Sequence, residues 1–342
     1  MHRASPTSSP FQSAAWVGAH LRAYGTDDAC VVTLRRDGEL TAAGVFRSRR
    51  VGPVTVLTSA PPQISDFTDV VLHPQDGVGA QLAAGLVRTP GWDVLDFPEV
   101  PPSADLWRLL RSWPGPAVRL PASECVIMDG TCLQEYTDGL PRHKRRQLAQ
   151  QQRGIVRAGV TAVRTDGGAD AVRRLLAFHR ESWAGRAITP EHLTSRFEQL
   201  LVDAVQAMAK SSQAAVVEFH QHGRVRGAAL YLAGAHCVGI YLTGHAAELR
   251  EQVNLHVLEM DAGFELVSEL GLSQFSLLRG LEPYKLRLPA RREVHERLVL
   301  VRPGSVAGRL VGHGMVSRPR AAMAARWGRE RLAGWRTARA SP

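Results

Sequence analysis

The chain has 342 residues, 44% of them hydrophobic, and a formal charge of +10. That length leaves room for more than one core. No run of ~18 apolar residues exists to span a membrane as a helix, and no apolar stretch follows a basic start as in a secretory leader.

Phe11 to Tyr24 reads as a first helix, with Trp16, Ala19 and His20 on one side. Ala29–Leu34 and Leu40–Phe46 read as strands joined by the Arg36-Asp37-Gly38 turn, and Val51–Leu57 as a third. Pro61-Pro62 interrupts the pattern, Gly77–Val87 is a short apolar helix, and Trp92–Phe97 is strand-like. Prolines then punctuate the chain up to Pro121, which places the end of a first half near Leu120. The second half opens with a strand at Cys125–Met128, a basic helix at Pro141–Ala158 and a strand at Val160–Arg164. Asp170–Trp183 carries Val172, Leu175, Leu176 and His179 on one face at helical spacing, so His179 reads as a core histidine. A helix at Glu191–Lys210 leads into three strands, Ala214–Phe219, Arg224–Ala233 and His236–Thr243. A helix over Val253–Leu270 ends at Gly271, and strands follow at Gln274–Leu278 and Glu293–Val301.

This order predicts an α/β fold with mixed sheets in the α+β manner. The expected division is an N-terminal lobe over 1–120, a catalytic lobe over 121–304 and a basic tail over 305–342. Arg302–Pro342 holds nine Arg against one acid, Glu330, so the body is close to neutral and a uniformly basic nucleic-acid binder is excluded. The tail suits an anionic partner, RNA or a membrane surface, or equally a helix packed on the body with its arginines in water. Cys30, Cys125, Cys132 and Cys237 match no zinc or CxxC spacing. They read as free thiols of a reducing, cytoplasmic compartment, and no metal is expected.

The segment richest in chemistry is Ser276-Leu277-Leu278-Arg279-Gly280-Leu281-Glu282-Pro283-Tyr284-Lys285, an apolar strand that runs straight into charged and phenolic groups. Open α/β sheets place ligands at such carboxyl ends. Glu282 can take a proton from an amine and Tyr284 can give one to a leaving group. Arg279 and Lys285 can hold phosphate or carboxylate. A structural corner, with Arg279 paired to Glu282 and Tyr284 packed, is the alternative. Trp183 is a candidate lining residue for an acyl pocket. Thr243, Gly244 and His245 at the end of the three strands, and Asn254 at the opening of the next helix, are candidate donor contacts.

The same segment, SLLRGLEPYK, resembles a signature of the CelD/BcsL-type acetyltransferases, which belong to the GNAT superfamily and are related to the FemABX peptidyltransferases. Pro10-Phe11-Gln12-Ser13 with Trp16, Ser65-Asp66-Phe67 with Asp69, the run from Leu140 to Leu148, and Leu176, His179 and Trp183 are similar to other motifs of that family. The resemblance covers about Pro10 to Val301. It implies a tandem GNAT-like fold of two lobes, acyl-CoA as co-substrate, a small-molecule amine as acceptor, and Asp66 as a substrate-binding candidate. The common GNAT pyrophosphate loop is absent: Glu251-Gln252-Val253-Asn254 stands where a glycine-bearing step is usual. The FemABX relation implies an aminoacyl-tRNA donor as an alternative. A non-catalytic binding protein on a degenerate transferase fold is a third reading.

Overall fold

The structure is a computed structural model and describes residues 9–60, 64–185, 189–280, 285, 289–312 and 314–315. Glu282 and Tyr284, and most of the Arg-rich tail, lie outside the described residues.

The first half comprises α1 (Ala14–Tyr24), β1 (Ala29–Arg36), β2 (Glu39–Val51), β3 (Val54–Ser59), β4 (Val71–Leu72), α2 (Val78–Arg88), β5 (Val94–Val100) and α3 (Leu106–Leu110). β6 (Ala117–Asp129), α4 (Leu133–Asp138), α5 (Arg142–Arg157), β7 (Val160–Arg164), α6 (Ala169–Ser182) and α7 (Ser195–Ala209) follow. Then come β8 (Ala214–Gln221), β9 (Arg224–Ala233), β10 (Cys237–His245), α8 (Ala247–Gln252), α9 (Leu255–Glu269), β11 (Gln274–Arg279) and β12 (Arg291–Val301).

All strands join one twelve-stranded mixed sheet in the order β1-β2-β3-β5-β12-β6-β11-β10-β9-β8-β7, with β4 added to β2. The two halves are thus fused edge to edge, with Leu120 inside β6 and β12 inserted between β5 and β6. Pro121 lacks an N–H and would break a regular ladder. It sits where the β6–β12 register shifts, opposite Glu296, and the strand therefore runs on through it.

In the second half both sheet faces are covered. Alternate residues of β8 and β9 separate cleanly: Val216 and Leu230 face α6 and α7, whereas Val217 and Tyr231 face α9. Such period-2 separation follows from the strand pleat. α1 packs on α7 of the second half, and its Trp16 and Ala19 enter the same core as Leu175 and Leu201. The first half closes its own core with α2 and α3 over β2, β5 and β12. The expected helix over Val253–Leu270 is α9, which Asn254 starts by accepting from the N–H groups of His256 and Val257; the short α8 before it, ending at Gln252, was not expected. No helix among the described residues is long and apolar enough to cross a membrane.

Candidate active site

β10 and β11 pair in parallel only at Cys237–Gln274, Val238–Phe275 and Gly239–Ser276. Beyond that β10 runs on to His245 without β11 beside it, so a gap opens between them toward their carboxyl ends. β11 stays paired with β6 from Gln274 to Arg279, through a register shift between Ser276 and Arg279, with Leu278 at φ 52°. A left-handed leucine costs on the order of 1–2 kcal/mol, so the surrounding contacts must hold it there. Lys285 does part of this. Its ammonium is buried and donates to the Leu277 and Arg279 carbonyls, both at 3.0 Å, satisfying acceptors at the irregularity.

Arg279 ends β11 and is gripped from the first half. Its Nε lies 3.3 Å from Asp66 Oδ1 and its Nη1 3.4 Å from Glu99 Oε1. Glu99 also accepts from the Ser123 hydroxyl (2.6 Å) and faces His295 at 3.6 Å. Burial pushes the Glu99 carboxyl up, but His295, Ser123 and Arg279 outweigh it and hold it below its ordinary range. Burial raises Asp66, against the pull of Arg279. Burial disfavours the Arg279 charge too, yet Asp66 and Glu99 raise its pKa.

The Asp66 turn is itself held by the N-terminal motif. Trp16 Nε1 donates to Ser65 Oγ (3.1 Å), Gln12 Nε2 to the Phe67 carbonyl (3.1 Å), and the Tyr241 hydroxyl of β10 to the Ile64 carbonyl (2.7 Å). Phe11, Trp16 and Tyr241 pack around it edge to face or tilted. Asp69 has a structural task, accepting from the N–H groups of Val70, Asp105 and Leu106. Motifs scattered from Pro10 to Lys285 therefore meet at one place.

Arg279 lines a cleft of about 830 Å3 built from both halves. Its other walls include His20, Tyr24, Arg47, Asp96, Glu99, Glu191, Arg196 and Arg297. Several charges are already paired: Arg297 grips Asp96 at 2.8 Å through two nitrogens, and Tyr24 donates to Glu191 at 2.6 Å. Arg196 lies over the Tyr24 ring at 5.2 Å and meets no carboxylate among the described residues. His20 is 4% exposed and neither ring nitrogen has a hydrogen-bond partner. Burial, with help from Arg47, lowers its pKa to about 4, so a neutral imidazole faces the cleft. These first-half residues escaped the sequence reading because no local pattern marks a side chain that becomes functional only through tertiary approach. His20 was visible on the buried side of α1, but as a packing position.

The donor candidates divide. Gly244 serves packing: a Cβ there would stand 2.2 Å from the His179 backbone nitrogen. The Thr243 carbonyl accepts from His179 Nδ1 (2.8 Å). His245 is buried against Phe219, 3.4 Å from Glu259. None of these three lines the cleft. Asn254 lines a second pocket of about 350 Å3 together with Lys144 of α5 and His256. Trp183 caps α6, half-buried, with its ring 6.0 Å from that of His179. Among the described residues no group of three or more His, Cys, Asp or Glu is placed to hold a metal ion.

The mixed sheet thus splits between β10 and β11, and Arg279 at the end of β11 lines a two-sided cleft. Residues 142–286 match the family model described as acetyltransferase (GNAT) domain, so the chain carries such a domain and is a transferase. The whole fold is similar to that of FemX (TM-score 0.60, 13% identity), covering 87% of this chain and 94% of that one. It is also similar to L-PGS from Bacillus licheniformis (TM-score 0.55, 14% identity; 88% and 90% covered). A Bacteroides thetaiotaomicron protein of unknown function shares the fold as well (TM-score 0.52, 9% identity; 84% and 90% covered). No curated protein sequence matches the chain.

Proposed function

We propose that the protein is an N-acyltransferase that moves an acyl group, acetyl in the simplest case, from acyl-CoA to an amine by direct attack. The observation that carries this reading is the early end of β10–β11 pairing beside Arg279 and the cleft. An open strand edge offers backbone groups to an extended, amide-bearing chain, much as a strand would be added. The pocket at the start of α9, with Lys144 across it, suits the donor's phosphates, because helix N-termini and ammonium groups favour anions. The amine acceptor enters the cleft, where Glu99 and Glu191 offer carboxylates. Arg279 then fixes an acceptor carboxylate or the donor, and holding both substrates in register supplies much of the acceleration. Glu282 and Tyr284 are the acid–base pair nominated by the sequence. A cytoplasmic site of action accords with the free cysteines.

A second reading, transfer from an aminoacyl-tRNA, is favoured by α5. Its Arg142, Arg145, Arg146, Arg153 and Arg157 are exposed and meet no carboxylate among the described residues. Such a face suits a phosphate backbone. Native mass spectrometry of freshly purified protein separates the readings: bound CoA or acyl-CoA supports the first, co-purified RNA the second. A protein that retains neither, and takes up neither when supplied, contradicts both.

A further inference from the structure

His179 of α6 and His192, just before α7, form a directional chain that the roles assigned above do not use. His179 Nδ1 lies 2.8 Å from the Thr243 carbonyl, on the part of β10 that has parted from β11. A carbonyl only accepts, so Nδ1 of His179 carries the proton, and the neutral ring presents a bare lone pair at Nε2. His192 Nδ1 stands 3.4 Å from that Nε2 and must be the donor. This fixes the second tautomer too, leaving the lone pair of His192 on its Nε2. The ring is held flat against Phe197 at 4.5 Å; Glu191 before it in the chain and Arg196 four residues on line the cleft, and the field of Arg279, also in the cleft wall, reaches the ring.

We propose, on the acyl-transfer reading above, that His192 is a catalytic residue whose Nε2 accepts the proton of the attacking amine, and that His179 is the positioning residue that sets its tautomer. The amine nitrogen bonds to the acyl carbon as the carbon–sulfur bond breaks, and the electron pair leaves on the thiolate. Bonding to carbon makes the amine N–H acidic, and the proton passes to His192 Nε2. The imidazolium then gives it to water, from which the thiolate is protonated. His192 takes the task that the sequence assigned to Glu282.

The surroundings keep both rings neutral and ready. Burial holds His179 below the usual histidine range, with Arg180 of α6 adding to it against the Thr243 hydrogen bond. Burial and His179 push His192 down to about 4, Arg279 of β11 adding to this while Glu191 opposes it. The Glu191 carboxylate is itself engaged by the Tyr24 hydroxyl of α1 and by Thr194. The Arg196 guanidinium of α7 lies over Tyr24. A ring this weakly basic is unprotonated at pH 7 and returns the proton to water fast, at the cost of driving force for taking it.

The test has two arms on the full chain. With 15N-histidine labelling, NMR should show both rings neutral and protonated on Nδ1 at pH 7, with His192 titrating near 4. An Nε2-protonated or cationic ring at either position overturns the relay, whatever the protein catalyses. With acetyl-CoA and a panel of primary amines, His192→Ala should lower kcat by about 100-fold or more. Imidazole in solution should restore part of it, and His179→Asn, which keeps the donor to Thr243 but removes the acceptor, should fall in between. Wild-type kcat in His192→Ala overturns the proposal, as does a loss that imidazole leaves untouched, or a pH profile that moves with Glu282→Gln instead. If the wild type releases no thiol with any amine, the acyl-transfer reading fails, and with it the catalytic role of His192. The NMR arm then reports on the hydrogen-bonded pair alone.

Discussion

Replacing Gly244 by alanine tests how the second half holds α6 against β10. The added Cβ would stand 2.2 Å from the His179 nitrogen, 2.4 Å from the Phe178 carbonyl carbon and 2.7 Å from the His179 Cα. All three are backbone atoms, so no side-chain rotation relieves the clash. Ordinary contact begins near 3.4 Å, and α6 must therefore withdraw by about 1.2 Å. That withdrawal stretches the 2.8 Å bond between His179 and the Thr243 carbonyl past hydrogen-bonding range. Overpacking costs about 1–3 kcal/mol and the lost bond about 1 kcal/mol more. At roughly 2 °C per kcal/mol for a chain of this size, the melting temperature should fall by about 4–8 °C in calorimetry. Gly85→Ala is the control: it sits in α2 with open space where the Cβ would go, and should leave the melt unchanged or slightly raised. A Gly244→Ala melt within about 1 °C of wild type would refute the packing argument and the site of the His179 anchor with it.

Glu99→Gln should destabilise the protein at neutral pH, and the difference should shrink in acid. The folded carboxyl is held below its unfolded value, so its contribution is present above about pH 4.3 and is lost as pH falls through the folded pKa. Melts of both proteins between pH 7 and 3 check the sign; a gap that widens in acid contradicts it. Tyr284→Phe should cut turnover far more than it lowers the melting temperature, whereas Glu282→Gln should leave turnover near that of the wild type, because His192 takes the proton. A near-wild-type rate in Tyr284→Phe would remove it from the chemistry. Truncation after Met315 should preserve the melt while abolishing salt-sensitive binding to anionic vesicles or RNA. The cut falls there, rather than at the start of the expected tail, because Val311 and Met315 pack on the cluster of Val54, Val56 and Val299.

Elements with strong local periodicity were legible in the sequence. The apolar face of α6, Val172, Leu175, Leu176 and His179, is buried as its spacing predicts, and β8 to β10 follow the expected boundaries closely. β12 was expected as the last strand, but nothing local says that it inserts between β5 and β6; that is a long-range pairing decided by the whole sheet. β6 begins eight residues earlier than expected because Pro121, a breaker by composition, is tolerated at a register shift supplied by its partner strand. At the site, the motifs located Arg279, Lys285 and Asp66 but not their relations. Lys285 is turned inward onto backbone carbonyls, and Arg279 is claimed by Asp66 and Glu99. Glu99, followed by a run of prolines, gave no signal at all.

The central claim is that the gap between β10 and β11 delivers an acyl thioester to an amine lying in the cleft. Wild-type protein and Arg279→Met are incubated with acetyl-CoA and a mixture of primary amines, and the products are read by mass. The account predicts N-acetylated amine and stoichiometric free CoA from the wild type, with both strongly reduced in Arg279→Met. Binding of acetyl-CoA without any acetylated amine, or equal product from both proteins, would contradict it.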